Sequence, residues 1–324
     1  MRATLAEGAE RESTPRAPRG LALARPYAFA LIPILGLFEL GAHEVQIHSV
    51  VSDADWDAAH AAVEAEWKPG DLVVFAPFWA DSIGRLHFGA KLAGIPDEAR
   101  PDDTRFPRAF EVSIRGQHDP ELADWKATAT RKVGPITITT LENPSPVHLI
   151  DDLLDHATPL GMSVARVDRG AENDCHWVHT ATTAGGLGAG PATPGDRFAC
   201  GGAGLVGVSL IHDLEDRPRR CFYAPTTGGA STVRVRFHDV AFGGALHGHL
   251  GLANFNERDR TGPKVTLTWS ANDRILGKVT HVDGDGWKGF ELSTSDLTGQ
   301  HADLVAEIAS PGGGRQFCFE ADTR

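Results

Sequence analysis

The sequence predicts a two-domain α+β protein: one apolar membrane or signal helix, a small α/β layer domain, then an antiparallel, jelly-roll-like β-sandwich. Three observations carry that expectation. A single long apolar run, residues 27–42 (YAFALIPILGLFELGA), follows a leader bearing Arg2, Arg11, Arg16, Arg19 and Arg25. Strand and helix patterns alternate over residues 44–158. From residue 162 onward, short strand patterns recur with turn residues between them.

The apolar run comes first. A helix needs about 20 apolar residues to cross a bilayer core, and the run reaches that length only when extended back through Arg25. Arg25 near one end and Glu39 near the other can snorkel to the headgroups. Arginines on the N-terminal side place the N-terminus in the cytoplasm and the bulk of the chain outside. The expectation for residues 1–43 is therefore a leader and a single-pass anchor in the cell membrane. A cleaved signal peptide, cut near Leu40-Gly41-Ala42, would instead give a secreted or periplasmic protein. A buried helix of a cytosolic protein is the third reading.

Composition bounds the rest. The 324 residues are 41% hydrophobic and 23% charged, enough apolar material for two domains with real cores. A net charge of -12 argues against a nucleic-acid binder, which would show a basic face. The four cysteines, Cys175, Cys200, Cys221 and Cys318, all fall in the last domain, and an even number in a turn-rich exported domain reads as two disulfides. Three pairings are open. Cys175–Cys200 with Cys221–Cys318 is favoured, because the second bond would tie the final strand to the domain body. The absence of a C-x2-C spacing speaks against zinc.

In the α/β layer, residues 44–51 alternate apolar and polar and predict a strand. Ser52-Asp53 caps a helix whose Trp56, Ala59, Ala62, Val63 and Trp67 recur at helical spacing, and Pro69-Gly70 stops it. Residues 71–76 (DLVVFA) read as a strand buried on both faces. A helix over residues 80–92, a strand at 109–114, a short helix at 120–126, a strand at 136–141 and a closing helix at 146–156 complete the layer. Ligands of α/β folds bind at loops after parallel strands, and Pro77-Phe78-Trp79 is such a loop. The charged residues Asp71, Asp81, Arg85, His87, Arg105, Arg108, Glu111 and Arg115 form no glycine-rich phosphate loop, serine elbow or metal-spaced pair, and read as surface ion pairs.

Asp55-Trp56 on a helix, then Pro69-Gly70-Asp71 and an apolar strand ending in Ala76-Pro77, resemble the C-terminal extracytoplasmic region of bacterial GT-C glycosyltransferases of the dolichyl-phosphate-mannose-type mannosyltransferase class. The resemblance covers residues 26–156 and implies membrane enzymes that use polyprenyl-phosphate sugars. In that family the catalytic carboxylate lies in a loop between the first membrane helices. This chain has no such loop, so no catalytic residue carries over.

In the sandwich, residues 162–324, strands are expected at 205–211, 232–237, 265–269, 275–282, 289–292, 302–309 and 316–320, with Trp269, Phe317 and Phe319 as core. The pattern resembles the β-sandwich carbohydrate-binding modules of extracytoplasmic bacterial enzymes. Its ligand residues are expected in the turn His281-Val282-Asp283-Gly284-Asp285-Gly286-Trp287: Asp283 and Asp285 offer carboxylates, His281 an imidazole, and Trp287 a stacking surface. A hairpin turn with Trp287 between the sheets is the plainer reading. His176 and His179 would face opposite sides of a strand. His247 and His249 would share one face, but spacing identifies no third ligand, so neither a metal nor a cofactor is expected. Arg234, Arg236 and His238 alternate with Val233, Val235 and Phe237 as the outer face of a half-buried strand.

The functional expectation is a membrane-anchored, extracytoplasmic, non-catalytic protein of envelope glycan biology. Its partners would be a glycan and a membrane protein. The alternative is the C-terminal portion of a GT-C glycosyltransferase whose catalytic membrane helices lie outside this chain.

Overall fold

The computed structural model describes residues 19–48, 50–183, 185, 190–201 and 204–324. Arg2, Arg11 and Arg16, and most of the glycine-rich segment near residue 187, lie outside the described residues. The chain divides into two compact units, Met1–Ser52 and Asp53–Arg324.

The first unit carries helix α1 (Arg19–His48), which contains the apolar run. Among the described residues no helix is long and apolar enough to cross a membrane. Arg25 and Glu39 leave only residues 26–38 uncharged, well short of the ~20 that a span needs. The membrane-spanning helix expected from the sequence is therefore not found. The strand expected over residues 44–51 is also replaced, because α1 continues to His48. Extending a formed helix adds one hydrogen bond per residue fixed, and a short alternating run without a strand to pair with cannot compete.

The second unit begins with α2 (Asp53–Glu64), which starts on Asp53 and Asp55 and buries Trp56, Ala59 and Val63. Acidic residues in the first turn complement the helix dipole. Strand β1 (Leu72–Ala76) is buried at all of its positions, as its apolar run predicts. A 3-10 turn, Phe78–Ala80, leads into α3 (Asp81–Leu92). Gly84 lets α3 lie directly on β1: a Cβ there would sit 2.2 Å from the Phe75 ring. Phe75 in turn meets Trp56 and Phe88 edge-on, with centroids 6.2 and 5.0 Å away. The short α4 (Ile95–Glu98) and β2 (Arg108–Ser113) follow.

Residues 120–126, expected as a helix, form only a 3-10 turn at Pro120–Leu122 before β3 (Lys126–Val133). The polar KATATRKV sequence hides β3 because it is an exposed edge strand with no apolar face to bury. With β4 (Ile136–Glu142) the sheet runs β1-β2-β4-β3, parallel only between β1 and β2. The closing helix expected at 146–156 is a two-residue strand, β5 (Asp151–Asp152), and a 3-10 turn capped by Asp152 accepting from Leu154 N at 3.0 Å.

The sandwich comprises β6 (Met162–Asp168), β7 (Ala171–Asp174), β8 (His176–His179), β9 (Asp196–Ala199), β10 (Leu205–His212), β11 (Pro218–Tyr223), β12 (Ser231–Ala241) and β13 (Ala245–Leu252). After α5 (Asn254–Asp259) come β14 (Val265–Ala271), β15 (Arg274–His281), β16 (Lys288–Ser293), β17 (His301–Ala309) and β18 (Phe317–Thr323). An eight-stranded sheet has the order β16-β13-β18-β11-β10-β9-β8, with β5 beside β18, and a six-stranded sheet has the order β15-β14-β17-β12-β6-β7. Trp269, Phe237, Phe222, Phe319 and Phe317 fill the space between them. Each such side chain removed from water contributes about 1.5–3 kcal/mol.

Disulfides join Cys175 to Cys200 and Cys221 to Cys318. The second links the neighbouring strands β11 and β18 across a sequence separation of 97. Arg234 pairs with Glu307 and Glu172, and Arg236 with Asp303, on the outer face of the six-stranded sheet.

Candidate functional site: the cleft along the layer–sandwich seam

Strand β18 is buried on both faces. Phe317, Phe319 and Ala321 point into the sandwich core, so alternation turns Cys318, Glu320 and Asp322 outward. That outer face is covered by the segment after α4. Arg220 N donates to Ala99 O at 2.9 Å, Arg219 Nη1 donates to Arg100 O at 3.1 Å, and Trp287 Nε1 donates to Pro101 O at 3.2 Å. Two hollows open along this seam and share Glu121 and Arg219 as lining residues.

The first hollow, about 330 Å³, starts at the loop that follows β1. Phe78 is 46% exposed and Trp79 50% exposed on its rim. Arg217 lies over the Phe78 ring at 5.4 Å and Arg115 over Trp79 at 5.5 Å. Asp81, Ser82, Glu98, Arg100, Asp119 and Glu121 supply polar groups beneath them. Arg217 Nη1 donates to Glu121 Oε1 at 2.5 Å, and Arg219 Nε donates to Asp213 Oδ2 at 3.0 Å. Burial and the neighbouring Asp103 raise the Glu121 carboxyl, against the pull of Arg217 and Arg219.

The second hollow, about 410 Å³, holds Asp102, Thr104, Trp125, Asn143, Ser145, Arg219, His249 and Trp287. Trp287 stacks on His249, with centroids 5.7 Å apart and planes 6° from parallel, and Arg219 lies 5.6 Å from the same indole. His249 Nδ1 is 2.8 Å from Glu320 Oε1. Burial, chiefly, brings His249 down to about 4 and also lowers His247. Burial, with Asp322 and Asp102 nearby, pushes Glu320 well above the carboxylate range. Burial would raise Asp102 too, but the Thr104 hydroxyl and Arg324 outweigh it and hold that carboxyl low. One donor atom each from Asp102, His247 and His249 lies within 4.8 Å of the others.

The turn expected to bind ligand divides between interior and cleft. His281 is fully buried, with Nε2 2.6 Å from Glu257 Oε1. Glu257 also accepts from Leu252 N and Gly284 N, fastening α5 to the turn. Asp283 pairs with Arg315 and accepts from Gly262 N at 2.8 Å. Asp285 pairs with Lys288 at 2.9 Å. Of the four residues, only Trp287 lines the cleft. The charged residues of the α/β layer are held in pairs, Asp71 with Arg108, Asp81 with Arg85, His87 with Asp57, Glu111 with His118 and Arg105 with Asp152. Sequence spacing reached the Phe78–Trp79 loop and the shared face of His247 and His249. It missed Asp102 and Arg219, which become neighbours of those residues only when the layer docks on β11 and β13.

No protein-family model matches the chain, a GT-C glycosyltransferase model included, and no curated protein matches it. Among solved structures, it is similar in part to the CBM51-2 and INT domains of Clostridium perfringens ZmpB in complex with GlcNAc (7% identity, TM-score 0.26, 50% of this chain and 37% of that one). It is also similar in part to the family 11 carbohydrate-binding module of the cellulosomal cellulase Lic26A-Cel5E of Clostridium thermocellum (10% identity, TM-score 0.24, 54% of this chain and 93% of that one). A third is a carbohydrate-binding module of the β-sandwich superfamily (10% identity, TM-score 0.28, 58% of this chain and 66% of that one). The chain spans little more than a third of the first of these structures.

Proposed function

We propose that the protein binds an oligosaccharide in the seam cleft and acts outside the cytoplasm as a glycan-binding protein. The observation that carries this reading is the half-exposed pair Phe78 and Trp79 above a hollow lined by carboxylates and guanidinium groups. A pyranose ring has apolar C–H faces and equatorial hydroxyl pairs. Aromatic side chains take the first, and planar, bidentate Asp, Glu and Arg groups take the second. The cleft continues past the Glu121–Arg219 pair to Trp125 and Trp287, giving room for more than one sugar unit. Two disulfides suit an oxidising compartment.

The test is a glycan array followed by calorimetry on the full chain, with Trp79→Ala and Trp287→Ala beside the wild type. Trp79→Ala is expected to weaken binding ~10- to 100-fold, as removal of a central aromatic does. Trp287→Ala should weaken only longer oligosaccharides. A folded wild-type chain that binds nothing on a broad array contradicts the proposal.

Membrane anchoring by α1 belongs to the same proposal. Between Phe29 and Leu40 the helix carries Leu31, Ile32, Ile34, Leu35, Leu37 and Phe38 around its circumference, the pattern of a helix that is buried or lipid-facing. Flotation of the full chain with liposomes supports the anchor, and its loss in Leu35→Asp would locate it. A chain that stays with the soluble fraction overturns it.

A further inference from the structure

We infer that Asp102, His247 and His249 form a binding site for one first-row divalent cation, with zinc the best match, at the inner end of the second hollow. This goes beyond the oligosaccharide reading and does not depend on it. Three observations meet there. One donor atom from each of the three residues lies within 4.8 Å of the others, so small side-chain adjustments would bring all three to the ~2 Å at which a single ion is bound. His247 Nδ1 is buried, has no hydrogen-bond partner, and sits 3.8 Å from Asp102 Oδ2. An orphaned buried nitrogen is destabilising, and a coordinated cation would satisfy it.

The third observation is the set of groups behind the ligands. His249 Nδ1 rests on Glu320 at 2.8 Å, leaving Nε2 as its ligand nitrogen. An acidic side chain behind the ring fixes the orientation of the imidazole, as it does at many metal-binding histidines. Asp102 is fixed on both sides: Oδ1 accepts from Thr104 N at 2.9 Å and from the Thr104 hydroxyl at 2.6 Å, and Oδ2 accepts from Arg324 Nη2 at 3.1 Å. A carboxylate oxygen has two lone pairs, so Oδ2 can hold Arg324 and an ion together. Close by on β16, Gly289 keeps the space beside His249 Nε2 open: a Cβ there would stand 3.3 Å from that nitrogen.

Two imidazoles and one carboxylate select zinc or a neighbouring transition ion over calcium and magnesium, which prefer all-oxygen shells. Three protein ligands leave a fourth position for water or a ligand oxygen. Asp102 and His249 both line the hollow, so that position would open into it.

The experiment uses the untagged full chain, stripped with chelator and titrated with zinc chloride by calorimetry and with cobalt(II) by visible absorption. One ion per chain is expected, with the intense cobalt bands of a four- or five-coordinate site. His247→Gln, His249→Gln and Asp102→Asn should each weaken binding at least tenfold, whereas His179→Gln, on the exposed β8 edge, should leave it unchanged. Circular dichroism of each stripped variant confirms the fold, and Asp102→Asn, outside the sandwich strands, decides the matter if a histidine variant unfolds. A folded, stripped wild-type chain that takes up no ion overturns the inference. So does binding that all three variants retain.

Discussion

At its central strands β18 and β11, the two faces of the eight-stranded sheet are both covered and chemically opposite. Its inner face presents Phe222, Leu246, Leu250, Phe317 and Phe319 to Trp269 and Phe237 in an apolar interface. Its outer face presents Arg219, His247, His249, Glu320 and Asp322 to the loop after α4, through hydrogen bonds and ion pairs that leave hollows between them. Burial alone therefore does not separate scaffold from site. What separates them is whether an unpartnered buried group lies beside an open hollow. The inner face packs Trp269, whose Nε1 also lacks a partner, among apolar rings, whereas the outer face leaves His247 Nδ1 unpartnered beside an open cleft.

The largest effect that sharpens this contrast comes from the inner face. Trp269→Ala should cost ~3–5 kcal/mol in denaturant unfolding, because the indole is fully buried against Phe237, Phe290 and Phe319. A loss below about 1 kcal/mol would mean that the sandwich core is not where the aromatic cluster places it.

The covering segment should respond to pH instead. Burial raises Asp97 from 3.8 to about 6, despite Arg100 and Arg85 beside it. A carboxyl whose folded value is raised binds more protons in the folded state than in the unfolded one. Its stabilising contribution is full below the unfolded value and is lost as pH rises through about 6. The loss amounts to about 3 kcal/mol, at ~1.4 kcal/mol per unit. Asp97→Asn should flatten the fall in stability of the wild type between pH 4 and about 6. An unchanged slope in the variant would show that Asp97 ionises freely and that the cover is looser than described.

The same contrast explains what the sequence made legible. Strands such as β12 and β14 alternate inward apolar and outward polar residues, so periodicity alone found them, with Trp269, Phe317 and Phe319 as core. The Phe78–Trp79 loop was legible because a wholly apolar strand precedes it. β3 was not, since an exposed edge strand of Lys, Thr and Arg carries no such signal. The polar turn at residues 281–287 looks like a binding loop in sequence, yet Glu257 and Arg315, from other elements, complete His281 and Asp283 internally. Conversely, His247 and His249 lacked a third partner in sequence because Asp102 reaches them only through docking of the α/β layer. Local patterns report the faces of one element. They do not report which element will cover them.

The most direct test of the seam cleft is the set of tryptophan indole NMR signals during titration with the oligosaccharide selected on the array. Saturable shifts at Trp79 and Trp125, with Trp56 and Trp269 unmoved, are the predicted result. Shifts confined to tryptophans outside the cleft, or none at saturating ligand, would contradict the account.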